Sequence, residues 1–199
     1  MEQLRQEVEK LVTLSDEEWA FIASKFTYRQ IPKDQIIHPA GEIFSKTFYI
    51  QSGVARAYLV DPQGKEFTWQ LYFRDATSAG SNHFLDDSVS YYEQQGSFLT
   101  FETLEDTELY EIEISELDRL FDADPKFEKM ARMYMHDHFF TPMYKRTLSV
   151  MTEDAQTRYA RLLAEHPNIF QYVKAYHVAS YLGVAPQTLS KLRKMNLGE

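Results

Sequence analysis

Apolar residues near the start of the chain recur every three or four positions. Leu4, Val8, Leu11 and Val12 fall at the spacing of one helix face. Ser15-Asp16-Glu17-Glu18 has the form of a capping box, in which a serine hydroxyl and a glutamate three residues on satisfy each other's backbone donors. Trp19, Ile22, Ala23 and Phe26 then predict a second short helix. From about Tyr28 to Ile112 the pattern shortens to β-like runs broken by turn residues. The run 47–50 ends at Gly53, 54–60 follows, and Asp61-Pro62-Gln63-Gly64 separates it from 65–73. Two apolar runs around such a turn predict a hairpin. A second pair, 98–104 and 107–112, flanks Glu105-Asp106. Six or more short strands at this spacing predict a barrel or roll closed on itself.

After Ile112 the period becomes helical. Ser115 is placed to cap a short helix through Phe121, and Asp124-Pro125 opens a long one reaching about Met151, with proline tolerated at the first helical position. Phe127, Met130, Ala131, Tyr134 and His138 form one stripe on it; Met133, Phe140, Tyr144 and Met151 form another. One stripe suffices to dock a helix on its own domain, so two predict a second covered surface, the same helix of another subunit. The competing reading is a helix sunk in its own core. Pro142 removes a ladder hydrogen bond and should kink or locally break the helix. A further helix is expected over 152–165, a break at His166-Pro167-Asn168, and two or three short helices after it.

The segment 172–194, YVKAYHVASYLGVAPQTLSKLRK, carries the most information. Val178, Ala179 and Leu182 make an apolar face, and the small Ala179 permits close helix approach. Gly183 stands where a tight turn between helices needs a left-handed residue. Val184 fills the angle, Pro186 starts the next helix, and Leu189 and Leu192 face back into the core. The remaining face shows Gln187, Ser190, Lys191 and Lys194. Amide, hydroxyl and ammonium groups are the types that read base edges and hold phosphates in a major groove. A helix-turn-helix is predicted; an ordinary helical hairpin with a solvated basic face is the alternative.

A net charge of −9 by itself opposes nucleic-acid binding, but the charge is unevenly placed. Residues 151–199 carry six Lys/Arg against four Asp/Glu, whereas the first 150 carry 15 against 26. Within 171–195 stand Lys174, Lys191, Arg193 and Lys194 and no acidic residue, and local charge is what attracts phosphate. With no cysteine, thiolate-held clusters, cysteine nucleophiles and disulfides are excluded. No apolar run suits a bilayer span and the N-terminus lacks a signal-like core, so no membrane partner and a cytoplasmic location are expected.

The order of parts, together with HPAGE at 38–42, FYIQSG at 48–53, Gly64, LEDTELYEI at 104–112 and ASYLGVAPQTLSKLRK at 179–194, resembles the Crp/Fnr family of bacterial transcription regulators along nearly the whole chain. The resemblance implies an α+β fold. It comprises a cyclic-nucleotide-binding-like jelly roll with flanking helices over 1–122, a dimerisation helix over 123–151, and a helix-turn-helix domain over 152–199. It further implies a homodimer on double-stranded DNA with a palindromic operator, with RNA polymerase as a further partner. DNA contacts are expected from Pro186, Gln187, Thr188, Ser190 and Lys191, with Arg193, Lys194 and Lys174 near phosphate. Ala185 stands where the family often has Ser or Thr, and it offers no side-chain cap.

Cyclic-nucleotide-binding members hold the phosphate on an arginine in a helix-containing cassette, beside a Gly-Glu pair. The matching stretch, 72–95, lacks both signatures, and 75–118 holds twelve Asp/Glu and no Lys or Arg. A buried phosphate there would be unpaired, so cyclic AMP is not expected as a cofactor. Arg56 and Arg74 are the nearest cations that could turn inward. Gly80, Ser81 and Asn82, before an expected short helix, could offer backbone donors to an anion. Phe84, Tyr91 and Tyr92 could instead line an apolar cavity, or simply fill the roll. No catalytic motif is present and no metal site is expected. His136 and His138 would point to different faces of a helix, and His38 and His83 read as isolated surface or turn residues. The rival function is a sensor or scaffold, cyclic-nucleotide-binding or ligand-free, that does not bind DNA.

Overall fold

A computed structural model of the chain describes residues 1–73 and 83–197. Eight strands form two antiparallel sheets among these residues. One sheet joins β1 (Thr27–Ile31), β3 (Lys46–Ser52), β6 (Phe84–Leu85) and β8 (Thr107–Glu113) in the order β1-β8-β3-β6. The other joins β2 (Ile36–His38), β4 (Val54–Val60), β5 (Glu66–Phe73) and β7 (Thr100–Thr103) in the order β2-β7-β4-β5. Strand alternation separates two cores. Phe48 and Ile50 of β3 join Phe44, Ala55, Ala57, Tyr72, Leu85, Phe101 and Leu109 between the sheets. Tyr49, between them in sequence, turns outward to the helices.

The hairpin turn is as expected. Asp61 N donates to Lys65 O and Gly64 N to Asp61 O, both at 2.9 Å, with Gly64 at φ +81°. The strand expected over 98–104 is shorter, because Phe98 is 85% exposed and only Thr100–Thr103 pairs in the ladder. On the outer face of the first sheet pack α1 (Glu2–Glu9) and α2 (Asp16–Ala23), through Leu4, Val8, Leu14, Trp19 and Ile22. The capping box of α2 is formed, Glu18 N donating to Ser15 Oγ (3.2 Å) and Ser15 N to Glu18 Oε2 (2.8 Å). His83 is a correction: it is buried, paired with Glu7 at 3.1 Å and edge-on to Tyr49. The N-terminal helix, distant in sequence, is what covers it.

A short helix α3 (Ser88–Glu93) links β6 to β7. The next, α4 (Ile114–Ala123), starts one residue before the expected cap. Ile114 is buried and its N–H donates to Ser45 O (2.9 Å), so Ser115 has no capping role. Asp124 caps α5 (Pro125–Met135) by accepting from Lys126 N at 2.8 Å. One turn of π-helix (His136–Phe140) then leads into α6 (Thr141–Thr152). Pro142 cannot donate to the preceding turn, and Thr141 N–H reaches back five residues to His136 O. The expected break at Pro142 thus takes the form of a widened turn. The helix expected from 152 begins instead as α7 (Ala155–Glu165), because Asp154 takes the cap position and accepts from Thr157 N (2.8 Å).

The two stripes of the long helix have different fates. Phe127 is buried and Met130, Ala131, Tyr134 and His138 are half-buried beneath it. Of the second stripe Met133 is half-buried, whereas Phe140, Tyr144 and Met151 are 59%, 56% and 77% exposed. The last core gathers Tyr159, Leu162, Ile169, Val173, Val178, Leu182, Leu189 and Leu192 from α7, α8 (Ile169–Tyr172), α9 (Ala175–Leu182) and α10 (Pro186–Leu197), with Val54, Leu71 and Phe73 of the roll.

Candidate nucleic-acid interface

The turn between α9 and α10 follows from one backbone requirement. Gly183 adopts φ 68°, ψ 32°, left-handed values that glycine tolerates without a Cβ penalty. Its N–H donates to Ser180 O (3.1 Å) and that of Val184 to Ala179 O (3.0 Å), closing the end of α9. Val184 packs against the helical core in the angle between the helices. Pro186 occupies the first turn of α10, where a missing N–H costs nothing. Leu189 and Leu192 are buried. Pro186, Gln187, Ser190, Lys191 and Lys194 are exposed on the other side, and Thr188 is half-buried at the flank. Lys174 is exposed at the N-cap of α9, and Arg193 is exposed with its guanidinium 4.4 Å from the Phe170 ring.

The helix pair is fastened to the roll by contacts that sequence reasoning missed. Ser180 Oγ accepts from Thr68 N (2.8 Å) and donates to Glu66 O (3.1 Å), docking α9 on β5. Arg146 of α6 donates to the carbonyls of Thr68 (3.0 Å), Trp69 and Tyr181 (2.9 Å), with its guanidinium 4.2 Å from the Tyr181 ring. Burial holds its pKa below the ordinary arginine value. Arg158 Nε donates to Leu182 O at 3.1 Å, so two cations meet the carbonyl end of α9. These partners lie 24 to 114 positions apart, so no local pattern announces them.

No sequence-family profile matches the chain, and no curated protein matches it. Solved structures do. FixK2 from Bradyrhizobium japonicum superposes with a TM-score of 0.68 at 17% identity, over 87% of this chain and 86% of that one. The c-di-GMP-responsive global regulator CLP of Xanthomonas campestris gives 0.67 at 14%, covering 90% of each chain. A transcriptional regulator from Eubacterium rectale, described as of the Crp/Fnr family, gives 0.65 at 18%, over 93% and 85%. The chain has the Crp/Fnr fold.

Within the Crp/Fnr fold, the structure decides which way Arg56 of β4 faces. Ala55 and Ala57 face the interior of the roll, and Arg56, between them, faces the opposite way. Its Nε meets Glu102 and its Nη2 meets Glu66, each at 2.6 Å, with the guanidinium over the Tyr58 ring. Arg56 therefore does not turn inward. Arg74 and the anion-site candidates Gly80, Ser81 and Asn82 lie outside the described residues. Phe44, Phe48, Tyr72 and Phe101 fill the interior, and Tyr91 packs against them. Phe84 and Tyr92 instead border a separate cavity. His136 contacts Asp137, while His138 stacks on Tyr134 at 4.3 Å. Among the described residues no group of His, Asp and Glu has the arrangement of a metal site, and no helix is long and apolar enough to cross a membrane.

Proposed function

We propose that the chain is a homodimeric, DNA-binding transcription regulator, bacterial and cytoplasmic, whose roll does not bind cyclic AMP. The observation that carries this reading is α10, which buries Leu189 and Leu192 and presents Gln187, Ser190, Lys191 and Lys194 to solvent after the Gly183 turn. A merely solvated hairpin would carry charges of both signs, whereas 171–195 holds four cations and no carboxylate. The Crp/Fnr fold supports the same reading, and catalysis has no support in it. Phe140, Tyr144 and Met151 supply the surface for a second copy of the helix, which would set two recognition helices about 34 Å apart on a palindromic site. RNA polymerase is the further partner such a protein would meet.

The test is selection of bound duplexes from a random pool by the full chain, followed by gel shifts of the selected and scrambled sites. A palindromic consensus bound more tightly than its scramble supports the reading; equal, weak binding of all duplexes overturns it in favour of the scaffold. Cyclic AMP should show no saturable heat in calorimetry, because aromatic rings fill the roll and Arg56 is held by carboxylates on the other face. Saturable binding at micromolar concentration would reverse that part.

A further inference from the structure

Outside the roll, between the β1-β8-β3-β6 sheet, α1, α2, α4 and the start of the long helix, lies a cavity of about 240 Å³. Its walls are almost wholly apolar, with Leu4, Trp19, Leu120, Phe127, Ala131 and Tyr134 among them. Such a void forfeits dispersion contacts that a close-packed interior would make. Polar groups gather at one corner: Thr47, Asp86, Ser88 and Tyr92. Thr47 already donates to Leu85 O (2.7 Å), and the Tyr92 hydroxyl to Asp118 (2.6 Å). Asp86 accepts from Ser88 N at 3.1 Å. A carboxylate has about four acceptor positions, so it has room for a further donor from the cavity side. Burial also pushes the Asp86 carboxyl above its ordinary pKa, the effect of apolar surroundings.

We propose that this cavity binds a small, uncharged, mainly apolar molecule with one O–H or N–H donor, seated so that the donor meets Asp86. A cavity of about 150 Å³ accepts benzene, so one of this size takes roughly ten non-hydrogen atoms. The site is separate from the aromatic-filled interior of the roll. Its ceiling is α5, whose Phe127, Met130, Ala131 and Tyr134 line it, and α5 continues through the π turn into the segment that bears Arg146 and the exposed apolar stripe. Occupancy therefore pushes on the helix that joins roll, partner and α9. That effector role rests on the regulator reading; binding itself does not.

The chain has two tryptophans, and Trp19 lines the cavity while Trp69 does not. Full-length Trp69→Phe protein titrated with 4-propylphenol should show a saturable change in Trp19 fluorescence, with the methyl ether of the same phenol binding about tenfold more weakly for want of a donor. Ala131→Phe, which fills the void, should abolish the change; Ala131→Leu serves if the larger ring prevents folding. No saturable signal, equal affinity for phenol and ether, or undiminished binding to a folded cavity-filled variant would each overturn the site. A gel shift with and without the phenol then separates the two readings. A chain that binds the phenol but no duplex sinks the regulator reading alone. One that binds both with unchanged DNA affinity sinks the effector role.

Discussion

Gln187 and Lys194 sit on one helix and should fail differently. Gln187 stands in the first turn of α10, where it can offer both a donor and an acceptor to adenine. Gln187→Ala is expected to relax sequence preference at a cost of roughly 1–3 kcal/mol on the preferred site. Lys194 lies two turns farther along, where such a helix leaves the groove. Lys194→Ala should weaken all duplexes alike and reduce the salt dependence by about one phosphate contact. Binding to preferred and scrambled duplexes at several salt concentrations distinguishes them. His177 governs a different quantity. It is buried in α9 with Nδ1 unpartnered, and burial, followed by the positive charges of Arg56 and Lys174, lowers its pKa to about 3. The unfolded chain takes up this proton near pH 6.5, so it binds more protons than the folded one between those values. Stability from this group is full above about pH 6.5 and falls as the pH drops toward 3, by about 1.4 kcal/mol per unit. Urea melts of wild type and His177→Gln at pH 7 and 5 check this; the variant should lose less stability over that interval.

The long helix is where adjacent stripes part. Because Phe140, Tyr144 and Met151 are exposed, Tyr144→Glu should place like charges in apolar surroundings in each subunit of a dimer and give monomers. Light scattering at tens of micromolar protein reports the change; a monomeric wild type would remove the premise. Both stripes were visible as spacing, but spacing does not say which one stays home. That depends on α1, α2 and the outer face of the sheet, brought over from the chain's beginning. The α9–α10 turn was legible for the opposite reason. Gly183, Pro186, Leu189 and Leu192 act through local geometry, which sequence order preserves. His83 misled, and the orientation of Arg56 was not legible, because their environments are made by Glu7 and by Glu66 and Glu102, partners supplied by other elements.

At the scale of the whole molecule, roll and helix pair are held by few but demanding bonds. Arg146 serves three carbonyls on two elements, and its loss leaves them without that donor. Arg146→Leu is expected to cost roughly 3 kcal/mol, and amide exchange should accelerate along β5 and α9 while the sheet containing β3 and β8 is unaffected. Uniform acceleration would mean that the residue supports the fold generally rather than this junction. The docking has a further consequence, for solubility. Strand β5 ends its sheet, and a bare end strand offers unpaired backbone groups to any other chain. Ser180 engages two of those groups and α9 shields the strand. A helix pair that swings away to meet a ligand or a duplex uncovers a template for strand-to-strand association. The same contact that positions α10 thus also guards the protein against aggregation.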